Sequence, residues 1–325
     1  MKFSLLTVTY GGLFYEGKAL TVEQQIHKAR QLGFDGLSIE TKRPVASPVD
    51  ISKADRARIK SVAASEGIEL VAMESLSNFC SDLMEERENN LSMMRHVLEL
   101  ARDLEVGMVK IFAAWPGIIN DQSPATYGSY DRGNFFKPLY ADDLRIWQRA
   151  VDGIREAADC AADLGITLLL QNHGPVLRPG YEDVLSMTKE VDRANVKICL
   201  DVPMFDARQH TDYVREAVEK CREYIRYSHY GAWNFSESAD GEVILEPAPG
   251  HGGKINYEAF IEALIQHGYD DYLASEYCLP ALRDHKLCGI DEIDAATYRG
   301  LRYMKQLVQR LTSNKKPATP KPVVA

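Results

Sequence analysis

The sequence predicts a (β/α)8 barrel, formed as a single domain over residues 1–311 and followed by a flexible C-terminal tail over 312–325. Three observations carry that expectation. A short apolar run followed by an amphipathic helical pattern recurs eight times, which is the arithmetic of a closed barrel. The apolar runs are almost continuously hydrophobic, as parallel strands covered on both faces must be. Most of the runs also end in a carboxylate, an amide or an imidazole, and the C-terminal strand ends are where such a barrel gathers its chemistry.

Taken in order, the strand candidates are 3–9, 34–40, 68–74, 107–113, 166–172, 196–201, 225–230 and 271–277. The helical patterns between and after them are 21–32, 51–66, 85–105, 140–164, 180–192, 211–223, 256–267 and 291–311. Glycine stops at Gly33, Gly67, Gly165 and Gly268 close four helices just before the next strand, where the chain needs a left-handed residue. An open doubly wound sheet would show fewer units and a glycine-rich first turn. Gly11 and Gly12 follow the first strand, but no GxGxxG completes them. Two connections are long, 114–140 after the fourth strand and 231–256 after the seventh, and both leave the same end of the barrel. Loops of that length without regular structure are expected to be lids or binding loops, the alternative being decorative or oligomer-forming insertions.

Composition narrows the function classes. Hydrophobic residues make up 45% and charged residues 26% of the 325, enough for a large core. A net charge of −9, with no Lys/Arg block before the tail, argues against a nucleic-acid partner. Six scattered cysteines without a CxxC pair read as reduced thiols in a cytoplasmic setting. The opening MKFSLLTVTYGG reads as a strand and not as a signal peptide, and no apolar run is long enough to span a membrane.

The strand ends hold Glu40, Glu74, Lys110, the run Gln171-Asn172-His173, Asp201, His229 and Glu276. A lone acidic residue at such a place is an ordinary helix cap, but polar groups on successive strands converge in one bowl. Asp201, His229 and Glu276 supply two carboxylates and an imidazole, a set suited to Mn2+, Mg2+, Co2+ or Zn2+. His173 lies two residues beyond Gln171 and so on the same side of an extended chain, as an acid/base group, a substrate-binding group or a capping histidine. Lys110 is expected either to stabilise an enolate oxygen or to pair with Glu74. Glu40 and Glu74 are candidate substrate-binding residues. Trp115, Trp233, Phe135 and Phe136 on the long loops are placed to stack on a sugar or an aromatic aglycone. GHGGKI at 250–255 is not a P-loop, since it lacks the leading glycine and the Ser/Thr after lysine.

Several of these segments, in order, resemble the sugar phosphate isomerase/epimerase family of the xylose isomerase-like barrel superfamily. GFDGLSIE is similar to the family's second strand, VKICLDVP to its sixth, RYSHYGAW to its seventh and GYDDYLASEY to its eighth. PGHGGKINYEAF is similar to the family's PGxGxxDYxxF motif before the seventh helix. The resemblance spans about residues 1–310. It implies a divalent ion, Mn2+ foremost, held by Glu, Asp, His and Glu on strands five to eight. Asp201, His229 and Glu276 match; the strand-five position is Gln171, whose amide oxygen can ligate a hard cation but cannot serve as a base. A second departure is Met204, where the family often has His.

The resemblance implies a metal-dependent isomerase or epimerase that abstracts a proton beside the carbonyl of a keto- or aldo-sugar, with Glu276 or His173 as base. Gln171 moves weight toward a lyase that cleaves 3-keto-glycosides, similar to the barrel subunit of C-glycoside deglycosidases with its small partner subunit. A non-catalytic sugar-binding protein has no evident need for the Asp201–His229–Glu276 set. The superfamily's abasic-site endonucleases use a richer metal cluster and a basic groove. The expected partners are a small-molecule sugar or glycoside and further copies of the chain, with no nucleic acid and no membrane.

Overall fold

A computed structural model describes residues 1–81, 83–115, 117–119, 126–127, 144–248 and 253–313. Eight parallel strands close into a barrel: β1 (Lys2–Leu6), β2 (Gly36–Glu40), β3 (Glu69–Glu74), β4 (Met108–Ile111), β5 (Thr167–Gln171), β6 (Val196–Cys199), β7 (Ile225–Gly231) and β8 (Tyr272–Glu276). Each strand pairs with its neighbours in sequence, and β8 returns to β1. The helices that cover the barrel are α1 (Val22–Leu32), α2 (Lys53–Glu66), α3 (Met84–Asp103), α4 (Leu144–Ala162), α5 (Glu182–Val191), α6 (Thr211–Cys221), α7 (Tyr257–Gln266) and α8 (Ile290–Ser313). Among the described residues no helix is long and apolar enough to cross a membrane.

Local chemistry sets the helix limits. Thr21 and Ser52 begin α1 and α2 with capping boxes, each hydroxyl accepting from the amide three residues on. Gly33 and Gly67 end the same helices at φ of 87° and 65°, a left-handed geometry that a side chain would strain. Gly36, at the start of β2, answers a packing need instead. A Cβ there would lie 2.5 Å from Val71 Cγ2 and 2.9 Å from the Glu69 carbonyl oxygen.

Register then fixes which residues share a level. Glu40 pairs with Glu74 and Glu74 with Lys110, so three polar side chains stand abreast on β2, β3 and β4. Gln171 is opposite Cys199 on β6, and His229 is opposite Ala274 on β8. Because side chains alternate along a strand, the residues two places earlier face the same way one layer deeper. Ala72, Leu169, Tyr227 and Ala274 hold those places and pack together as an apolar cluster beneath the polar layer.

Three expectations change. The first strand does not run to residue 9; the chain turns at Leu6 into a 3-10 segment, Thr7–Tyr10. The β-branched run reads as a strand, yet its hydroxyls make side-chain bonds instead: Thr7 Oγ1 accepts from the Glu40 amide at 2.8 Å, and Thr9 Oγ1 accepts from the Tyr277 amide at 3.2 Å. The 231–256 connection is not free of regular structure, because Phe235–Glu237 pairs antiparallel with Val243–Leu245 across an Asp240-Gly241 turn. The last helix continues to Ser313, past the boundary drawn at 311. Phe135, Phe136, residues 250–252 of the GHGGKI segment and residues 314–325 of the tail lie outside the described residues.

Candidate active site

A cavity of about 390 Å3 opens at the C-terminal end of the barrel, a size that suits a small ligand. Its lining includes Glu40, Glu74, Lys110, Gln171, His173 and Glu276, with Phe112, Trp115 and Trp233 as aromatic walls. Nine positions singled out in the sequence therefore reach one space: these six polar residues, the two tryptophans and Met204. Asp201 and His229 lie fully buried beside it.

Charged groups run across the cavity floor in a chain. Lys110 Nζ stands 3.1 Å from Glu74 Oε2, Glu74 Oε1 is 3.2 Å from His229 Nε2, and His229 Nδ1 is 2.9 Å from Asp201 Oδ2. Burial opposes the charges of Glu74, Asp201 and His229, and their partners overcome it. Lys110 and His229 hold Glu74 below the ordinary carboxyl range despite its burial. His229 and the Gln171 amide do the same for Asp201. Burial works against a charged His229, yet Asp201 and Glu74 raise its pKa well above the usual imidazole value. The Lys110 ammonium also sits over the Phe112 ring, 3.6 Å from its centroid.

Asp201 is the most heavily tied group. Its Oδ1 accepts from the His229 amide at 2.6 Å, and Gln171 Nε2 donates to its Oδ2 at 2.5 Å. Asn172 clasps its backbone: the Asn172 Oδ1 accepts from Asp201 N at 2.8 Å and Nδ2 donates to Asp201 O at 3.1 Å. Gln171 Oε1 is buried with no hydrogen-bond partner. An amide with an unpartnered oxygen, packed through its nitrogen against a carboxylate and an imidazole, makes with them a donor set that a divalent cation fits. Among the described residues, ligand atoms of Cys199, Asp201 and His229 converge within 4.8 Å of one another. The Glu276 carboxylate is not part of that convergence; it lines the cavity.

The remaining groups differ in their proton affinity. Burial raises the pKa of Glu276, offset only in part by His229 and Lys110. Burial also raises that of Glu40, whose Oε1 pairs with Lys42 at 3.2 Å while Oε2 has no partner. His173 is pushed down to about 4 by burial. Its Nδ1 lies 2.5 Å from the Gly174 carbonyl oxygen, and its ring packs edge-on against Phe112. A neutral ring with its proton on Nδ1 leaves the Nε2 lone pair available.

Three residues escaped the sequence reading. Cys199 precedes Asp201 by two positions and Phe112 follows Lys110 by two, so strand periodicity placed both on the inward side. Asn172 was noted as a strand-end residue, but no sequence signal marks it as the clasp on Asp201.

The fold and site define a closed (β/α)8 barrel whose strand ends gather a carboxylate, an imidazole and an amide beside a cavity sized for a small molecule. The chain belongs to the xylose isomerase-like TIM barrel family, whose model matches residues 26–307. It is 22% identical to the fructoselysine 3-epimerase of Escherichia coli O157:H7, over 85% of this chain and 93% of that one. A solved D-psicose 3-epimerase, determined in the presence of D-fructose, superposes with a TM-score of 0.69 at 18% identity, covering 95% of this chain and 99% of that one. The 3-keto-D-glucoside 4-epimerase of E. coli superposes at 0.64 with 16% identity, over 94% of this chain and 99% of that one.

Proposed function

We propose that the chain is a divalent-metal-dependent, sugar-active enzyme of the isomerase/epimerase type that abstracts a proton next to a carbonyl. The observation that carries this reading is the meeting of Gln171, Asp201 and His229 beside a cavity that also holds Lys110, His173 and Glu276. Gln171, Asp201 and His229 would hold the ion, with Glu276 as the further ligand or the base; Mn2+ is the first choice and Mg2+, Co2+ and Zn2+ fit the same donors. Such an ion supplies Lewis acidity, drawing electron density from a carbonyl and acidifying the adjacent C–H.

The chain's own groups do the rest. Glu276, whose burial raises its proton affinity, is the stronger base once ionised. His173 presents a neutral ring with a free Nε2 lone pair, the arrangement for receiving a proton or a hydroxyl hydrogen bond. Lys110 brings a fixed ammonium to the cavity wall, where it can meet oxygen as negative charge develops. Glu40 Oε2 accepts a sugar hydroxyl, while Trp115 and Trp233 close over apolar sugar faces. The epimerase activities named for the relatives support this substrate class.

One observation favours a second reading, a lyase acting on 3-keto-glycosides. Gln171 stands where a two-carboxylate epimerase needs a base, and an amide cannot take a proton near neutral pH. A single base removes the proton beside the ketone, and the electron pair then expels a substituent at the next carbon. The 3-keto-D-glucoside named for one structural relative supports that substrate, and a small partner subunit belongs to this reading. Assembly as a homo-oligomer in the cytoplasm, with its cysteines free, completes the proposal.

Metal analysis of the purified protein, before and after chelation, tests the core of it. One bound divalent ion per chain is expected, with turnover lost on chelation and in His229→Ala. A metal-free protein whose turnover survives His229→Ala contradicts the proposal. Product analysis separates the readings: an isomer or epimer supports the first, a released aglycone the second.

A further inference from the structure

Glu74 entered the sequence reading as a substrate-binding residue, yet its side chain is 1% exposed and both oxygens face charged neighbours. Oε1 lies 3.2 Å from His229 Nε2, and Oε2 lies 3.1 Å from Lys110 Nζ. The opposite edge of the His229 ring faces the candidate ligands, with Nδ1 at 2.9 Å from Asp201 Oδ2 and 3.3 Å from Gln171 Nε2. A ring nitrogen that takes a cation must offer its lone pair, so the one ring proton left to a metal-bound His229 resides on Nε2, directed at Glu74.

We propose that Glu74 is the positioning residue of the metal centre: it fixes the Nε2–H tautomer of His229 and aims Nδ1 at the ion. This rests on the metal-dependent reading above. Carboxylates behind ligand histidines tune affinity in this way, by orienting the ring and making it a stronger donor. Lys110 has a part in the device. Its ammonium lies at ion-pair distance from the other Glu74 oxygen and is itself seated on the Phe112 ring, so the carboxylate is held with one oxygen toward His229 and the other toward Lys110. The same chain links the metal-binding half of the barrel, β5 to β7, to the β2–β4 half that carries Glu40 and Lys110. Loss of Glu74 therefore acts on metal affinity before it acts on any sugar contact.

The test compares Mn2+ binding, read from the electron paramagnetic resonance signal of the free ion, in the full-length wild type and two variants. Glu74→Gln and Glu74→Leu are each combined with Lys110→Met, so neither variant buries an unpaired ammonium. The amide keeps an oxygen that can accept from Nε2–H, whereas leucine keeps none. The expected order of affinity is wild type, then E74Q/K110M, then E74L/K110M, with the last weaker by about 10- to 100-fold. Nitrogen-15 spectra of the Zn2+-loaded proteins should show a single Nε2–H tautomer of His229 in the wild type and in E74Q/K110M, and a mixture in E74L/K110M. If the leucine variant does not fold, the near-isosteric glutamine variant decides through its graded affinity. A structural role alone would lower thermal stability in the variants without grading Mn2+ affinity or moving the His229 signals, and that result overturns the proposal. Variants that bind Mn2+ as tightly as a Mn2+-binding wild type also overturn it, while leaving the metal reading intact. A wild type that takes up no divalent ion removes the metal reading and this inference together.

Discussion

Replacing Lys110 with methionine probes the buried charge chain at the point where its value can be worked out. Nζ and Glu74 Oε2 are 3.1 Å apart, with side chains 5% and 1% exposed. At an effective dielectric of about 20, that separation corresponds to about 5 kcal/mol of attraction. Removing one partner of a buried pair and leaving the other charged costs about 3–5 kcal/mol. Methionine keeps nearly the same volume against Phe112, so the packing loss is small. Lys110→Met should therefore lower the unfolding free energy by about 4 kcal/mol, and Tm by about 6 °C for a chain of this size. The pH dependence has a definite sign. In the wild type Glu74 sits below the ordinary carboxyl value of 4.5, so its contribution is present above that pH and lost as pH falls through the folded value. In the variant burial dominates and raises Glu74, so the deficit is greatest near neutrality and shrinks as pH falls from the variant's raised value, above 4.5, through the wild type's lowered one. Urea unfolding of wild type, K110M, E74Q and the double variant completes a thermodynamic cycle, with an expected coupling of about 2–3 kcal/mol. A coupling below about 0.5 kcal/mol, or a K110M as stable as wild type at pH 7, would refute the charge-chain account.

Other substitutions check neighbouring parts of the structure. His173 sits at about 4 when folded against the ordinary imidazole value of 6.5 when unfolded, so between those values the unfolded chain binds the extra proton. Stability should rise with pH across that window by up to about 1.4 kcal/mol per unit, and His173→Gln should flatten the slope in urea titrations; an unchanged slope contradicts the placement. Gln171→Glu puts a second carboxylate where the amide now donates to Asp201 at 2.5 Å. It should lower Tm without metal and enlarge the Tm gain on adding Mn2+, whereas equal gains in both proteins would remove Gln171 from the ligand set. Gly36→Ala forces a methyl to within 2.5 Å of Val71 Cγ2 and should destabilise by about 1–3 kcal/mol in a denaturant melt, with a neutral effect ruling out the close approach of β2 to β3.

The barrel was legible because its signal is repetitive. Eight apolar runs and four glycine stops each say the same thing, and the family match over residues 26–307 agrees with them. Strand-end chemistry was legible for the same reason, since closing the barrel necessarily brings Glu40, Gln171 and Glu276 to one end. What stayed hidden depends on side-chain geometry. Thr7 and Thr9 look like strand residues until their hydroxyls are seen bonded to Glu40 and Tyr277 amides. Glu74 looks like a substrate group by position, and only its distances to His229 and Lys110 turn it inward. The hairpin after β7 was signalled by Asp240-Gly241, but its strands are three residues each, too short for periodicity to register.

Metal-dependent proton abstraction is measured most directly by solvent hydrogen exchange. D-Fructose, D-psicose and a 3-keto-glucoside are incubated in D2O with the Mn2+-loaded protein, with the chelated protein and with Glu276→Gln, and the recovered sugars are weighed by mass spectrometry. The account predicts deuterium beside the carbonyl of at least one sugar with the loaded wild type, and its loss on chelation and in E276Q. Exchange that persists after complete removal of the metal, or none in any sugar that binds, would contradict it.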